Sequence, residues 1–305
     1  MTQEGQKMDS GKFTEEILTI LKERMGDVEI MACDVTRNNG IRLAGLTIRD
    51  RACNIAPCIT LEDFCLVHSE GRKNLGDIVD EIIQVYQKNK AGHCFDLSAF
   101  TDYSHAKTLL HGRLINTEKN AGLLEKRPHR EFLDLSLVYC MEFPCPDIGG
   151  AGSMQVMDAH MGLWEVSEQE LYRQAMENMG DSEEAAIYSM ADIFAGMQEC
   201  LPETAPGKAF PMYILTNRRK FYGAAQILNR KALEKAAGMA GQGFFILPSS
   251  VHEAILVPEG ETDACPEDLA AMVHEVNEAE VPEEEYLSGH VYHYCATDGK
   301  ITIVA

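Results

Sequence analysis

The feature that most constrains the fold is the alternation of strand-like and helix-like segments over residues 206–305. Short apolar runs occur in pairs, and amphipathic helical patterns separate the pairs. We predict helices at 230–239 and 266–279, and strands at 212–216, 222–228, 243–247, 251–257, 290–295 and 300–304. Hairpins that alternate with helices indicate an antiparallel sheet covered by helices, which is an α+β fold with a C-terminal ββαββαββ unit.

The N-terminal part of the chain predicts a second α+β arrangement, in the order αβββα. Apolar spacing predicts helices over 11–25 and from residue 75, additional helix near 61–68, and strands at 28–35, 41–48 and 54–60. Asn39-Gly40 lies between the first two strands, and it favours a hairpin because both residues tolerate positive φ. Asn74 precedes the last of these helices, and we expect its side chain to cap the first turn.

The middle of the chain predicts a β-hairpin followed by two helices. Apolar and polar residues alternate over 133–141, which is typical of a half-buried strand, and 154–160 is the expected partner strand. Ser167 begins a capping-box pattern that predicts the first helix. An apolar stripe that starts at Ile187 predicts the second helix.

A linker pattern suggests where the chain divides into domains. Residues 201–207 contain two prolines and a glycine between periodic segments, which is typical of a linker. The chain has 305 residues, about the length of two ordinary domains. We therefore predict an N-terminal α+β region at 1–205 and a C-terminal α+β domain at 206–305.

The charge balance is strongly acidic. The chain has 27 Lys or Arg and 48 Asp or Glu, which gives a formal net charge of −21 at pH 7. This charge disfavours direct binding to duplex DNA, because the phosphates would be repelled. No Lys or Arg occurs over residues 236–299. This segment is either a solvated face or a surface that docks a basic protein partner. A further hypothesis is an acidic DNA-mimic inhibitor, in which spaced carboxylates imitate phosphates.

The cellular compartment is expected to be the cytoplasm. No apolar signal-peptide core follows the first residues, and no apolar run approaches the length of a membrane span. We therefore expect a protein without a membrane partner, whose ten cysteines are reduced. The cysteines form no Cys-x-x-Cys pair and their spacings do not fit a zinc ribbon, so we expect no metal and no cofactor.

The segment Pro248–Glu253 contains the candidate catalytic residues His252, Ser250 and Glu253. Side chains alternate faces along a strand, so Ser250 and His252 would share a face and Glu253 would point the other way. His252 would then be the acid/base of a small-substrate hydrolase. The Gly-x-Ser-x-Gly turn that exposes a nucleophile is absent. The alternative is a tight turn whose hydroxyl groups bond nearby backbone atoms.

A second set of polar residues is predicted to border a ligand-binding cleft in the C-terminal domain. This set contains Asn217, Arg218, Tyr222, Asn277 and Tyr292. Amides at the ends of strands and helices also cap backbone groups, which is the structural alternative for the two asparagines. The cluster Arg218-Arg219-Lys220 is suited to a phosphate group or an acidic partner.

The helix predicted at 266–279 also carries a pair of residues with metal-binding chemistry. His274 and Glu278 are four residues apart and lie opposite the apolar stripe of the helix. We expect them to form an exposed pair rather than a metal site.

Several strings of this sequence are similar to those of one protein family. They are Thr216-Asn217, Tyr222-Gly223-Ala224, and the segments 246–253, 272–277 and 287–292, together with 35–40 and 46–49 near the N-terminus. These strings resemble the DUF5688 family over most of the chain. The resemblance implies a protein of gut Firmicutes that is encoded beside mobile elements. Because that family has no known function, the resemblance implies no reaction, cofactor or catalytic residue.

The function that these features favour is a binding or accessory protein with a polar cleft in the C-terminal domain. The sequence contains no complete catalytic motif, and its charge is strongly polarised along the chain. The alternatives are the small-substrate hydrolase that uses His252 and the acidic DNA mimic. The residues name no reaction, so the sequence leaves open whether the chain is an enzyme.

Overall fold

The chain forms two compact units. The computed structural model describes residues 3–54, 56–90, 98–145, 150–180, 185–190, 212–241, 243–260 and 265–305. The first unit contains residues 1–99 and 143–152, and the second unit contains residues 100–142 and 153–305. This division differs from the predicted boundary at 205/206, which lies inside the second unit, and the predicted linker at 201–207 lies outside the described residues.

The first unit contains a three-stranded antiparallel sheet in the order β1-β2-β3. Its elements are the helices α1 (Gln3–Arg24), α2 (Glu62–Ser69) and α3 (Leu75–Asn89), and the strands β1 (Val28–Thr36), β2 (Arg42–Asp50) and β3 (Cys58–Thr60). The predicted αβββα order, with its additional helix, is confirmed. The turn between β1 and β2 forms because Asn39 and Gly40 adopt φ angles of 60° and 72°, the left-handed region that both residues tolerate.

An apolar stripe on α3 places this helix against the sheet of the first unit. One core contains Ile78, Val79, Ile82 and Tyr86 of α3, with Ile17 and Leu21 of α1 and Leu46 and Ile48 of β2. The helix begins at the predicted cap, because the Asn74 side chain accepts a hydrogen bond from the Asp77 backbone nitrogen at 3.0 Å. Local periodicity and one capping residue were therefore enough to predict this helix.

The elements that follow α3 form two sheets. From residue 98 onward the helices are α4 (Ser98–Thr101), α5 (Tyr103–Ala106), α6 (Ala121–Leu124), α7 (Asp158–Trp164), α8 (Glu168–Met179), α9 (Arg230–Ala240) and α10 (Pro266–Ala279). The strands are β4 (Leu110–Asn116), β5 (His129–Phe132), β6 (Leu135–Cys145), β7 (Gly150–Gln155), β8 (Ala185–Ser189), β9 (Tyr213–Asn217), β10 (Phe244–Leu247), β11 (Ala254–Pro258), β12 (Tyr292–Cys295) and β13 (Lys300–Ile303). One sheet has the order β4-β6-β5, with β7 paired to β6, and the six-stranded sheet has the order β13-β12-β10-β11-β9-β8.

Helix α10 covers one face of the six-stranded sheet, as predicted. Leu269 and Val273 of the helix share a core with Leu247, Val257 and Val291. The helix has the predicted bounds, and neighbouring strands of this sheet are antiparallel. The α+β fold class is therefore confirmed. None of the described helices has the length and hydropathy that a bilayer span requires.

The predicted strand at 222–228 is wrong, because Gly223–Leu228 is a 3₁₀ helix. A Cβ atom added to Gly223 would lie 2.6 Å from the Asn217 backbone nitrogen, so the segment approaches the end of β9 very closely. The two alanines that follow and Ile227 are buried. A short apolar run is compatible with a buried strand or a buried helical turn, and packing against β9 selects the turn.

The second helix predicted in the middle of the chain is wrong at its start. Ile187 lies in strand β8 and is paired with Leu215 of β9. Met190, the next residue of the predicted stripe, is helical, and the remaining residues of this prediction lie in 191–211, outside the described part of the chain. The predicted hairpin is β6 with β7, although α7 occupies the end of the predicted partner strand. Helix α8 begins as expected, since Ser167 Oγ accepts from the Glu170 nitrogen at 3.3 Å.

Hydrogen bonds within the second unit explain why the boundary differs from the predicted one. Asn116 on β4 donates from Nδ2 to the Leu287 carbonyl at 3.0 Å. Asp134 accepts from Ser288 Oγ at 2.8 Å and from the Tyr292 hydroxyl at 2.5 Å. These hydrogen bonds connect the segment from β4 to β6 with residues 287–292 in the C-terminal part of the chain. Linker composition carries no information about such long-range pairing.

Replacing Asp134 with Ala should destabilise the second unit by about 2–4 kcal/mol, since each buried donor left unsatisfied costs about 1–3 kcal/mol. Ser288 and Tyr292 are both fully buried and would lose their acceptor. Trp164, the single tryptophan of the chain, lies in this unit, so its fluorescence during urea unfolding reports this loss. Glu278→Ala is the control, because Glu278 is exposed, and equal unfolding midpoints for the two variants would contradict the prediction.

Candidate functional site

The candidate site is built on a tight loop of six residues, Asn217-Arg218-Arg219-Lys220-Phe221-Tyr222, which we name the basic loop. It connects β9 to the 3₁₀ helix of the second unit. The Asn217 side chain closes the loop, because Oδ1 accepts from the Phe221 nitrogen at 3.2 Å and Nδ2 donates to the Phe221 carbonyl at 2.8 Å. Lys220 and Tyr222 have φ angles of 52° and 51°, a left-handed conformation that costs free energy in residues other than glycine. Surrounding contacts must therefore hold this conformation.

The segment before β11 supplies those contacts. Thr216 Oγ1 donates to the His252 carbonyl at 2.8 Å, and the Tyr222 nitrogen donates to His252 Nδ1 at 3.2 Å. The Phe221 and Tyr222 rings lie 5.4 Å and 5.5 Å from the imidazole ring. His252 thus holds the basic loop through its backbone and its side chain.

A small cavity lies behind the basic loop. Its volume is about 20 Å³, which is room for about one water molecule. Arg113 of β4 and Glu142 of β6 line it together with Asn217, Arg219 and Tyr222 of the basic loop. The cavity therefore joins residues from three distant parts of the sequence.

Two arginines share one carboxylate in the wall of this cavity. Arg113 Nη2 donates to Glu142 Oε1 at 2.9 Å, and the two side chains are only 9 % and 7 % exposed. Arg219 pairs with the other carboxylate oxygen of Glu142 and is 44 % exposed. The Arg113 guanidinium also lies 4.1 Å from the centroid of the Tyr222 ring, close enough for a cation–π interaction. The formal charge of the three ionised groups is positive.

Arg113 has an unsatisfied donor at this cavity. Its Nε atom is buried and has no hydrogen-bond partner among the described residues. A buried donor without an acceptor is costly, about 1–3 kcal/mol. An acceptor atom that enters the cavity would remove this cost.

The ionisation of the neighbouring groups follows from burial and charge. Burial acts to raise the pKa of Glu142, but the Arg113 hydrogen bond and the charges of Arg113, His111 and Arg219 hold it below its usual value. Burial raises the pKa of the Cys140 thiol to about 12. Glu142 is therefore an anion at neutral pH, and Cys140 is a protonated thiol without nucleophilic character.

The predicted catalytic residues do not form the expected constellation. Strand β11 begins at Ala254 rather than 251. Ser250 forms an isolated β-bridge with Tyr286 and His252 lies in the bend that follows, so the predicted strand alternation does not apply to them. Ser250 Oγ accepts from the His252 backbone nitrogen at 3.1 Å. His252 Nε2 lies 3.6 Å from Glu285 Oε1. Burial raises the pKa of the third candidate, Glu253.

Backbone pairing explains the late start of β11. The Val251 nitrogen donates to the Glu285 carbonyl at 2.8 Å, and the Leu287 nitrogen donates to the Ser249 carbonyl at 2.9 Å. The segment before β11 is thus paired with residues 285–287 instead of with the six-stranded sheet.

The predicted ligand-binding residues separate into two groups. Asn217, Arg218 and Tyr222 belong to the basic loop, and Asn217 and Tyr222 line the cavity. Neither Asn277 nor Tyr292 lines it. Asn277 Nδ2 donates to the Ser288 carbonyl at 3.1 Å, and Tyr292 bonds Asp134 as described above. Both asparagines bond backbone groups, which is the structural alternative that the sequence left open.

The sequence interpretation missed two residues of the site, Arg113 and Glu142. Arg113 follows Gly112 and precedes the apolar pair Leu114-Ile115. A charged residue within such a run is a signal of a buried ion pair. The partner could not be predicted, because strands β4 and β6 come together only in the folded sheet.

Metal-binding chemistry is limited in the described part of the chain. No group of three or more His, Cys, Asp or Glu side chains in those residues is arranged to hold a metal ion. His274 Nε2 lies 3.4 Å from Glu278 Oε1, and both side chains are exposed, as expected for this pair.

Comparisons with known proteins give one match. The profile of the family described as "Family of unknown function (DUF5688)" matches residues 10–296. No curated protein and no solved structure matches the chain. The family match spans most of the 305 residues and includes the basic loop, the His252 segment and helix α10. The chain therefore belongs to the DUF5688 family, whose function is unknown.

Proposed function

We propose that this chain is a binding protein that recognises an anionic group at the basic loop. The observation that carries the proposal is the buried Arg113, which lines a cavity of about 20 Å³ and whose Nε atom has no acceptor among the described residues. A guanidinium group is a strong donor for phosphate and carboxylate oxygens. An oxygen atom of the ligand would satisfy this donor.

The local charge supports the same function. Arg113 and Arg219 both pair with Glu142 among the described residues, so these three ionised groups keep a positive charge in a chain of net charge −21. Arg219 is partly exposed, which makes the site reachable from solvent. An anion repelled by most of the surface would be attracted to this point.

The contacts of His252 favour binding over the hydrolase alternative. Since Nδ1 accepts from the Tyr222 nitrogen, the proton of the neutral imidazole resides on Nε2, which lies near Glu285. Neither ring nitrogen then has a free lone pair with which to act as a general base. We assign His252 to positioning the basic loop.

The acidic segment supports a second candidate, a surface for a basic protein partner. Helix α10 exposes Asp268, Glu275 and Glu278, and it also exposes Met272 and Val276 on its outer surface. Exposed apolar side chains among carboxylates suit a basic segment that carries apolar anchors. A DNA mimic needs an uninterrupted row of carboxylates, so these apolar residues favour the protein partner over the mimic.

Titration with inorganic phosphate tests the anion-binding proposal. We expect saturable binding by calorimetry, and an affinity loss of at least about tenfold in Arg219→Gln, because a hydrogen bond to a charged group is worth about 1.5–3 kcal/mol. Arg230→Gln is the matched control, since Arg230 is an exposed arginine on α9 whose ion-pair partner among the described residues is Glu234. The proposal is overturned when phosphate, sulfate and acetate all fail to bind the wild-type protein, or when Arg219→Gln binds them equally well.

A further inference from the structure

We infer that the ligand of the basic loop is a nucleoside phosphate, with its phosphate at Arg219 and Lys220 and its base stacked on Phe221. This inference rests on the proposed anion-binding function and names the class of ligand. It starts from the sequence of the loop, in which an aromatic residue directly follows three cations. Stacking rings beside cationic side chains are the means by which proteins bind unpaired nucleotides without reading their sequence.

The Phe221 ring is held in place but open to solvent. It packs edge-on against Tyr222, with ring centroids 4.7 Å apart, and its centroid lies 5.4 Å from that of His252. The side chain is nevertheless 46 % exposed. Its backbone is fixed by both hydrogen bonds of the Asn217 amide. A base that stacks on this ring therefore meets a surface that is already ordered, and little conformational entropy is lost.

Two cations of the loop have donors for a phosphate group. Arg219 uses one nitrogen for Glu142, and its guanidinium carries further N–H donors. The Lys220 ammonium lies 5.0 Å from the Tyr188 ring and pairs with no carboxylate of the described residues. A phosphate offers several acceptor oxygens, so it can bond both side chains and still place one oxygen toward Arg113 Nε.

The surroundings limit the ligand to a single nucleotide. Glu285 lies 3.6 Å from His252 Nε2. Burial raises the pKa of the Tyr222 hydroxyl, and the charges of Glu284 and Glu285 raise it further, so both carboxylates act close to the loop. A second phosphate on that side would be repelled. An extended strand also requires several stacking rings along a basic groove, whereas the basic loop exposes one such ring, Phe221.

Base identity is not read by the loop. The Asn217 side chain is buried and bonds the Phe221 backbone through both its nitrogen and its oxygen, so this amide is not presented to a base edge. The affinity for different nucleotides should depend only on the area of the base that stacks on Phe221. Adenosine monophosphate should therefore bind more tightly than uridine monophosphate.

Calorimetry with inorganic phosphate, ribose 5-phosphate and adenosine monophosphate tests the inference. We expect adenosine monophosphate to bind roughly 5- to 150-fold more tightly than ribose 5-phosphate, the range given by stacking of one base. Phe221→Leu should remove most of this difference, measured as the ratio of the two affinities within the same variant. Leu163→Ala, which changes another exposed apolar residue, is the control and should keep the difference.

The outcomes separate the inference from the function on which it rests. If phosphate and ribose 5-phosphate bind through Arg219 while adenosine monophosphate binds no better, the inference is overturned and the anion-binding function stands. If none of the three probes binds, both are overturned. Tighter binding of a thymidine 20-mer than of the mononucleotide, per site, would overturn the limit to one nucleotide.

Discussion

Replacing Glu142 with Ala is expected to lower the free energy of unfolding of the second unit by about 3–5 kcal/mol, the usual cost of removing one partner from a buried ion pair. Arg113 is nine-tenths buried and would lose the carboxylate that compensates its charge. Arg219 would lose the same partner at the surface of the site. Denaturant unfolding at pH 7, followed by Trp164 fluorescence, measures the effect in this unit.

Two further variants test whether this loss of stability comes from the buried charge. Glu234→Ala removes an exposed partner of Arg230 and should change stability very little. The double variant Arg113→Met with Glu142→Leu removes both buried charges, and it should recover most of the stability because only the partly exposed Arg219 is left without its partner. A Glu142→Ala protein as stable as Glu234→Ala would show that the pair contributes nothing measurable.

Acid unfolding provides a second test of the contribution of Glu142 to stability. The native pKa of Glu142 lies below its usual value, so the unfolded chain binds a proton at this residue more readily than the native chain. The stabilisation is therefore present above about pH 4.3, the ordinary pKa of glutamate, and is lost as pH falls through the native pKa. Glu142→Gln should show a weaker loss of stability below pH 4 than the wild type. An identical acid profile would contradict this assignment.

Gly223→Ala and Gly238→Ala should change stability in opposite directions. A Cβ at residue 223 would lie 2.1 Å from Thr216 Oγ1 and 2.7 Å from the His252 carbonyl oxygen, and the latter is a backbone atom. Such overpacking costs about 1–3 kcal/mol or more. Gly238 lies inside α9 with no atom within 4 Å of the added Cβ. An alanine there should stabilise the helix by about 0.5–1 kcal/mol.

The pair is informative because the chemical change is the same in both variants. Thermal and urea unfolding measure whether each variant is more or less stable than the wild type. Phosphate titration measures how each variant changes the affinity of the site. Gly223→Ala should also weaken phosphate binding, since the backbone that must move carries the basic loop. Gly238→Ala should bind phosphate like the wild type. Equal stability changes in the two variants would indicate that the close packing around Gly223 does not restrict this position to glycine.

Patterns confined to a few consecutive residues were reliable predictors of the fold. Helix α10 has the predicted bounds because its apolar stripe, its first-turn proline and its acidic N-terminal residues all lie within one segment. The turn at Asn39-Gly40 was predicted because both residues tolerate positive φ. These signals depend on backbone conformation and local periodicity, which each segment carries by itself.

Short apolar runs were the main source of error. The run at Gly223–Leu228 became a 3₁₀ helix, and the region around Ile187 became an edge strand paired with β9. In a run of five or six residues, helical and extended conformations bury similar side chains, so periodicity does not separate them. The neighbour that each run packs against decides its conformation.

The candidate site could be predicted only in part. The basic loop and His252 were recognisable as polar groups next to predicted strands, and Asn217 and Tyr222 do line the cavity. Arg113 and Glu142 lie on strands whose pairing spans 29 residues, and Arg219 lies much further along the chain. No local pattern connects these three side chains.

By itself, the sequence determined the longer described helices, most of the described strands, the turn at Asn39-Gly40 and the acidic character of the chain. Only the tertiary structure decided that Arg113, Glu142 and Arg219 meet behind the basic loop, and that residues 100–142 join the C-terminal sheet in one unit. The physical reason is that backbone preference acts between near neighbours in the chain. Burial of a charge instead requires partners that distant strands bring together.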